Sequence, residues 1–316
     1  MSSGLSIIVY LLLVIFLALY WGVFCLVSNK MHKAFPKLSF FLIPFVWVAL
    51  EYILTHFLTG FPWGLLGTSQ YLNIYFIQLA SVAGVYGLSF VLVLFQCLFL
   101  YSMKYRKRAP FFAVLGFALF VHGAGFLSIK MAPASKNSFR ASVIQGNVSS
   151  DIYWDAASEE LKQSLFDHHL DLSRRALERG ARLIIWPEFT VPFCFSCPFE
   201  PYQDFKARLF EFVKKEDCTL VLGTNETTHI PGDDLYFNTA LCLRPDLSMS
   251  HYYKMHLVPF GEYTPYKKIF FFIERMTHAI GNISPGTEHL LHRYQDLMFG
   301  SPICFEIIFP NLVRRF

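Results

Sequence analysis

The chain divides into an apolar half and a patterned half. Leu5–Val27 has no charged residue over 23 positions, and Leu38–Leu58 has only Glu51. Tyr71–Met103 has no Lys, Arg, Asp or Glu over 33 positions, and Pro110–Ile129 adds 20 more in which only His122 titrates. Roughly 20 apolar residues span a bilayer core, so four transmembrane helices are predicted, at about 5–27, 38–58, 73–101 and 110–129. Buried helices of a large soluble core rarely stay free of charge for so long. The first segment opens Met1-Ser2-Ser3-Gly4 without a basic stretch, and its apolar run exceeds that of a signal peptide, so it reads as a helix that stays.

After a polar connector, Lys130–Phe139, the period changes. Ala141–Gln145 and Arg182–Trp186 read as strands. Ala156–Glu178 carries Leu161, Leu165, Leu170 and Leu172 at helical spacing and stops at Gly180, and Tyr202–Lys215 is a second amphipathic helix. Thr219–Gly223, Tyr236–Leu243 and Met298–Cys304 read as further strands, with a helix starting in Ile307–Phe316. Strands alternating with helices predict an α/β layered domain. The expected division is a membrane region, 1–130, and a soluble domain, 140–316. On this reading the strand leading to Cys304 is the last of its sheet, which leaves the sheet uncovered on one side.

Composition sharpens this picture. Of 316 residues, 54% are hydrophobic and 16% charged, and mean hydropathy is +0.41. That excludes an ordinary soluble protein. The formal net charge of +4 calls for no nucleic acid, because much of it sits in two loops: Lys30, Lys33 and Lys37 between the first two helices, and Lys104, Arg106, Lys107 and Arg108 between the last two. The loop Thr59–Gln70 has no Lys or Arg. The positive-inside rule puts the basic loops in the cytoplasm, and the soluble domain outside. Glu51 within the second helix reads either as a functional intramembrane charge or as a packing or interfacial residue.

Three motifs carry candidate chemistry. Leu183-Ile184-Ile185-Trp186-Pro187-Glu188 brings a carboxylate to the end of an apolar strand, where partial burial suits a general base. Tyr253-Lys254-Met255-His256-Leu257-Val258-Pro259-Phe260-Gly261-Glu262 places an ammonium among aromatic and aliphatic neighbours. Gly300-Ser301-Pro302-Ile303-Cys304-Phe305-Glu306 sets a thiol between a strand end and a helix start, where helix N-terminal charge would lower its pKa. A lone Cys is usually a packing residue. A carboxylate, an ammonium and a thiol together supply base, oxyanion partner and nucleophile for acyl transfer. His122, His168, His169 and His256 show no ligand spacing with the cysteines, so no metal is expected. The His168-His169 pair reads as a solvated helix face. Cys194-Phe195-Ser196-Cys197 reads as a disulfide, two free thiols or, less naturally in a Phe/Pro-rich loop, a redox site.

These motifs, in this order, resemble the Glu-Lys-Cys triad of the nitrilase (carbon-nitrogen hydrolase) superfamily. With the full His256–Glu262 string, Gln145-Gly146-Asn147 with Trp154, and Phe61-Pro62-Trp63 in an outside loop, the chain is similar to the apolipoprotein N-acyltransferase family. The resemblance implies a multi-pass helical membrane bundle followed by a nitrilase-like αββα sandwich on the periplasmic side of a bacterial inner membrane. It implies Glu188 as general base, Lys254 as oxyanion stabiliser and Cys304 as nucleophile. Glu262 and Glu306 would be auxiliary carboxylates, and Trp154 a substrate-pocket aromatic. No cofactor is implied. The acyl donor would be a phospholipid, the acceptor a diacylglyceryl-cysteine lipoprotein, and the intermediate a Cys thioester. Family members carry more helices before this point and more domain plus a final helix after it, so the chain reads as truncated at both ends and its sandwich as incomplete at the C-terminal side. The alternatives are a membrane-anchored amidase using the same triad with water as acceptor, and an inactive remnant.

Overall fold

A computed structural model describes residues 3–133, 138–148, 159–191, 194–197, 200–230, 233–265 and 283–316. The chain forms two compact units, 1–134 and 135–316.

The first unit holds α1 (Ser3–Ala34), α2 (Ser39–His56), α3 (Ala80–Tyr105) and α4 (Arg108–Lys130). Each lies in a span long and apolar enough to cross a membrane: Ser6–Ala34, Ser39–His56, Phe76–Tyr105 and Arg108–Lys130. The third span differs from expectation. Residues 71–75 are turn, Phe76–Leu79 is a 3₁₀ turn, and only then does α3 begin. Asn73 accounts for the late start. Its side-chain oxygen accepts the Phe76 N–H at 3.3 Å, and its amide pairs with His122 Nε2 at 3.1 Å, which offers the backbone an alternative to the helix. A charge-free run thus predicted a span, but not one unbroken helix.

Glu51 is buried, and Oε1 accepts from Trp47 Nε1 at 3.0 Å and from the Leu66 N–H at 2.7 Å. The second bond ties α2 to the 3₁₀ turn Leu66–Gln70 and satisfies a backbone donor that lipid could not. Of the readings left open for Glu51, these contacts favour packing.

The second unit begins with a five-stranded sheet in the order β1-β2-β3-β4-β5: β1 (Ala141–Val143), β2 (Leu183–Ile185), β3 (Thr219–Ile230), β4 (Asp233–Leu243) and β5 (Met249–Tyr253). The first three are mutually parallel, and β3, β4 and β5 are antiparallel. Helix α5 (Glu159–Glu178) links β1 to β2, and α6 (Glu200–Lys215) links β2 to β3. Strand alternation sends Ile184, Leu220, Leu222, Leu241 and Leu243 to the helix side, against Phe166, Leu170, Leu209 and Val213. Leu183, Val221 and Cys242 point the other way, onto Tyr294. Tyr294 belongs to a two-stranded antiparallel sheet, β6 (His292–Tyr294) with β7 (Leu297–Phe299). The described layers are therefore helices, main sheet and second sheet.

Three expectations need correction. The strand read as Met298–Cys304 is only Leu297–Phe299, and it pairs with β6 instead of ending the main sheet. Pro302, which has no N–H for a ladder, lies in the extended stretch that follows. The helix placed in Ile307–Phe316 is a 3₁₀ turn, Cys304–Ile308, then a short α7 (Pro310–Val313) that restarts at Pro310. The His168-His169 pair is split: His168 is exposed, but His169 is 1% exposed, on the same α5 stripe as Phe166, Leu170 and Ser173. Its ring faces Trp186, and burial lowers its pKa below the usual histidine value.

Candidate active site

Glu188 lies three residues beyond β2, where the chain crosses over β3. The Trp186 N–H bonds to Val221 O, and the Gly223 N–H to Pro187 O. The crossing is close: a Cβ on residue 223 would stand 2.5 Å from Glu188 Cα, so only glycine lets the carboxylate sit here.

Lys254 directly follows β5. It is 1% exposed, and its Nζ stands 2.8 Å from Glu262 Oε1 and 3.3 Å from Glu188 Oε1. Burial alone would push this ammonium down. The Glu188 and Glu262 carboxylates, with Cys304, outweigh burial and hold its pKa above the ordinary lysine value. Glu262 is buried too, and it also accepts from Val258 N and Asn238 Nδ2, at 2.8 and 2.9 Å.

Cys304 is exposed, in a left-handed backbone conformation (φ 50°) at the start of its 3₁₀ turn. The Glu188 carboxylate is near enough to act on its thiol. The thiol's pKa is raised, first by desolvation and then by the Glu188 charge, with Lys254 opposing. This reverses the expected helix-terminus effect: a five-residue 3₁₀ turn contributes little beside desolvation and a nearby carboxylate. Glu188, Lys254 and Cys304 thus meet in one place, from three elements far apart in sequence.

Glu306 is fully buried. It accepts from Tyr252 Oη at 2.8 Å and from the backbone N–H groups of Met255, His256 and Ile303 at 2.8, 3.0 and 2.7 Å. It stands behind the thiol as a peg joining the Cys304 turn to the end of β5. Trp154 lies outside the described residues. Cys194 and Cys197 are joined as a disulfide, one of the readings left open.

Two residues escaped the sequence reading. Asn238 on β4 donates from Nδ2 to Glu188 Oε1 at 2.7 Å as well as to Glu262, so one amide ties both carboxylates. Tyr252 holds Glu306. The signal was available: Asn238 alternates with Ala240 and Cys242 on an inward strand face, where an amide is out of place unless partnered.

Comparison with known proteins places this geometry. The model of the carbon-nitrogen hydrolase family matches residues 140–316, and the chain belongs to that family. Residues 1–98 match the apolipoprotein N-acyltransferase N-terminal domain. Proteins called apolipoprotein N-acyltransferase are similar over most of the chain: 33% identical over 96% of it in Geobacter metallireducens, and 28% over 98% in Wigglesworthia glossinidia brevipalpis. The one from Rickettsia prowazekii is 28% identical over 85%. The chain spans 59%, 61% and 53% of the lengths of these three relatives.

Proposed function

We propose that the protein is a membrane N-acyltransferase that moves an acyl chain from a phospholipid, through a thioester on Cys304, to the N-terminal amine of a diacylglyceryl-cysteine lipoprotein. The observation that carries this reading is the Cys304 thiol set near the Glu188 carboxylate, with the Lys254 ammonium 3.3 Å from that carboxylate. Four apolar spans and the names of the relatives support lipid substrates.

In the first step Glu188 takes the Cys304 proton and the thiolate adds to the ester carbonyl. Lys254 steadies the oxyanion, in a site too buried for water to screen its charge. Collapse breaks the ester C–O bond, and the lysophospholipid alkoxide leaves with the proton from Glu188. In the second step the free amine attacks the thioester and gives its proton to Glu188. The C–S bond breaks, an amide forms, and the departing thiolate recovers that proton. The thiol's raised pKa fits a resting protonated form that is activated only when Glu188 accepts the proton. Glu262 and Asn238 hold Lys254 and Glu188 in place, Glu306 holds the Cys304 turn, and Trp154 would line the lipid pocket. In this reading residues 1–130 are the membrane region, and residues 140–316 the catalytic domain on the periplasmic side of the inner membrane.

The test is intact-mass analysis of the full chain after incubation with phospholipid. One acyl addition, removed by neutral hydroxylamine and missing in Cys304→Ala, is expected. An adduct that persists in Cys304→Ala sinks the assignment.

A further inference from the structure

Strand β5 and the residue directly after it carry three polar side chains at two-residue intervals: Ser250, Tyr252 and Lys254. Two of them already have roles, since Lys254 meets Glu188 and Tyr252 holds Glu306. The third leads to a buried histidine that the mechanism leaves unused. Ser250 Oγ lies 2.8 Å from His292 Nδ1, and His292 Nε2 lies 2.8 Å from Ser301 Oγ. His292 is fully buried on β6, and Ser301 stands three residues before Cys304. We infer that His292 is a positioning residue, the middle of a Ser250–His292–Ser301 strut that sets the Cys304 thiol at its working distance from Glu188 and Lys254.

The need for such a strut follows from the fold. Among the described residues, the segment 300–303 belongs to neither sheet and no ladder fixes it. Cys304 then turns at φ 50°, a conformation a non-glycine residue holds only when its surroundings impose it. Three contacts impose it. Gly300 lies against the Phe316 ring, where a Cβ would come within 2.4 Å of Cδ1. The Ile303 N–H is held by Glu306 at 2.7 Å. Between them, Ser301 is held by His292. Both polar contacts trace back to β5, the strand that Lys254 directly follows. The same rack therefore places the ammonium and, through Tyr252–Glu306 and Ser250–His292, the thiol.

The strut requires a neutral imidazole, which accepts from one hydroxyl and donates to the other. Burial, then the charges of Arg244 and His251, lowers the His292 pKa to about 4, so the ring is neutral wherever the enzyme works.

The inference rests on Cys304 as the nucleophile, so its test has one arm that needs no substrate. On the full chain in phospholipid micelles, the alkylation of Cys304 by iodoacetamide is followed by peptide mass spectrometry across pH. The single-turnover rate of acylation is followed on the same protein. His292→Phe keeps the ring and removes both contacts. Its acylation rate should fall about ten- to a hundredfold, with unchanged half-saturating phospholipid, because a small misplacement of the reacting group costs that much. Its alkylation midpoint should move to lower pH as the thiol leaves Glu188. His292→Gln, which can still donate and accept, should recover most of both. A purely structural residue would lower the folded fraction without moving the pH profile of the folded protein. Wild-type acylation and a wild-type profile in folded His292→Phe overturn the inference. If that variant does not fold, Ser301→Ala removes one contact only and is held to the same criteria. Should the wild-type chain form no acyl adduct at all, the proposed function fails, while the alkylation profiles still decide whether His292 places the thiol.

Discussion

Replacing Lys254 with Met keeps the aliphatic stem and removes the charge, which isolates what the ammonium contributes. Its Nζ lies 2.8 Å from Glu262 and 3.3 Å from Glu188. With an effective dielectric of about 20, each contact is a gross attraction of about 5–6 kcal/mol. Most of that offsets the cost of burying the charges, and removing one partner from a buried ion pair costs about 3–5 kcal/mol net. For a unit of this size, that is a drop of about 6–20 °C in Tm. The deficit should depend on pH, and the sign can be worked out. In the wild type the folded pKa of Lys254 is raised, so its contribution is fully present below the unfolded value of about 10.4 and is lost only as pH rises through the higher folded value. Between pH 5 and 8 it is therefore constant. In Lys254→Met, Glu188 and Glu262 face each other across the shared Asn238 amide with no cation between them, and protonating one relieves the repulsion. The deficit should thus be larger at pH 8 than at pH 5, and adding Glu262→Gln should recover part of it. The assay is thermal unfolding of the full chain, followed by the fluorescence of buried Trp186. A Tm within about 2 °C of wild type at pH 8, or the same deficit at both pH values, refutes the reasoning.

Glu188→Gln should separate two effects that usually move together. The Cys304 alkylation midpoint should fall, because the Glu188 charge is among the causes that raise it, while acylation by phospholipid drops about 10²–10⁴-fold for want of a base; a midpoint that stays or rises shows that the carboxylate does not govern the thiol. Gly223→Ala should cost activity by about a hundredfold with the triad intact, since its Cβ meets the Glu188 backbone and displaces the base, and wild-type turnover would show that the crossing tolerates a side chain. A single cysteine introduced near Lys136, in a background freed of native cysteines, should react with an impermeant maleimide in intact cells. Labelling only after lysis contradicts the proposed periplasmic orientation.

How far the sequence could be read depends on the range of each interaction. The four spans, α5, α6 and the strands next to them follow from local pattern, and the structure shows them with shifts of a few residues, except that β3 runs on from Gly223 to Ile230. The exceptions mark where a distant or side-chain contact overrode that pattern. Asn73 delayed α3 by bonding to its own backbone and to His122. The stretch before Cys304 reads as a strand because it is apolar, but among the described residues its polar side-chain partners are a histidine and a glutamate. The charge of His168-His169 as a pair hid the phase of the helix, which buries one ring and leaves the other out.

The site shows the same division. Glu188, Lys254 and Cys304 could be named because each ends a recognisable run and because their order resembles a family. Their mutual arrangement could not be read, and it reverses one electrostatic expectation. A thiol judged by its neighbours in sequence should be acidified by a helix start. In the fold it faces a carboxylate drawn from 116 positions upstream, and desolvation and that charge outweigh the lysine. What places Lys254 and, through Tyr252 and Glu306, the Cys304 turn is the two-residue period of β5 continued by the residue after it. Ser250, Tyr252 and Lys254 look like scattered polar residues in a line of sequence, and it is the pairing of β5 with β4 that sets the first two on one face, with Lys254 directly after the strand. A strand whose inward positions carry polar groups in succession is therefore the local signal that a buried site, and not an apolar core, lies against it.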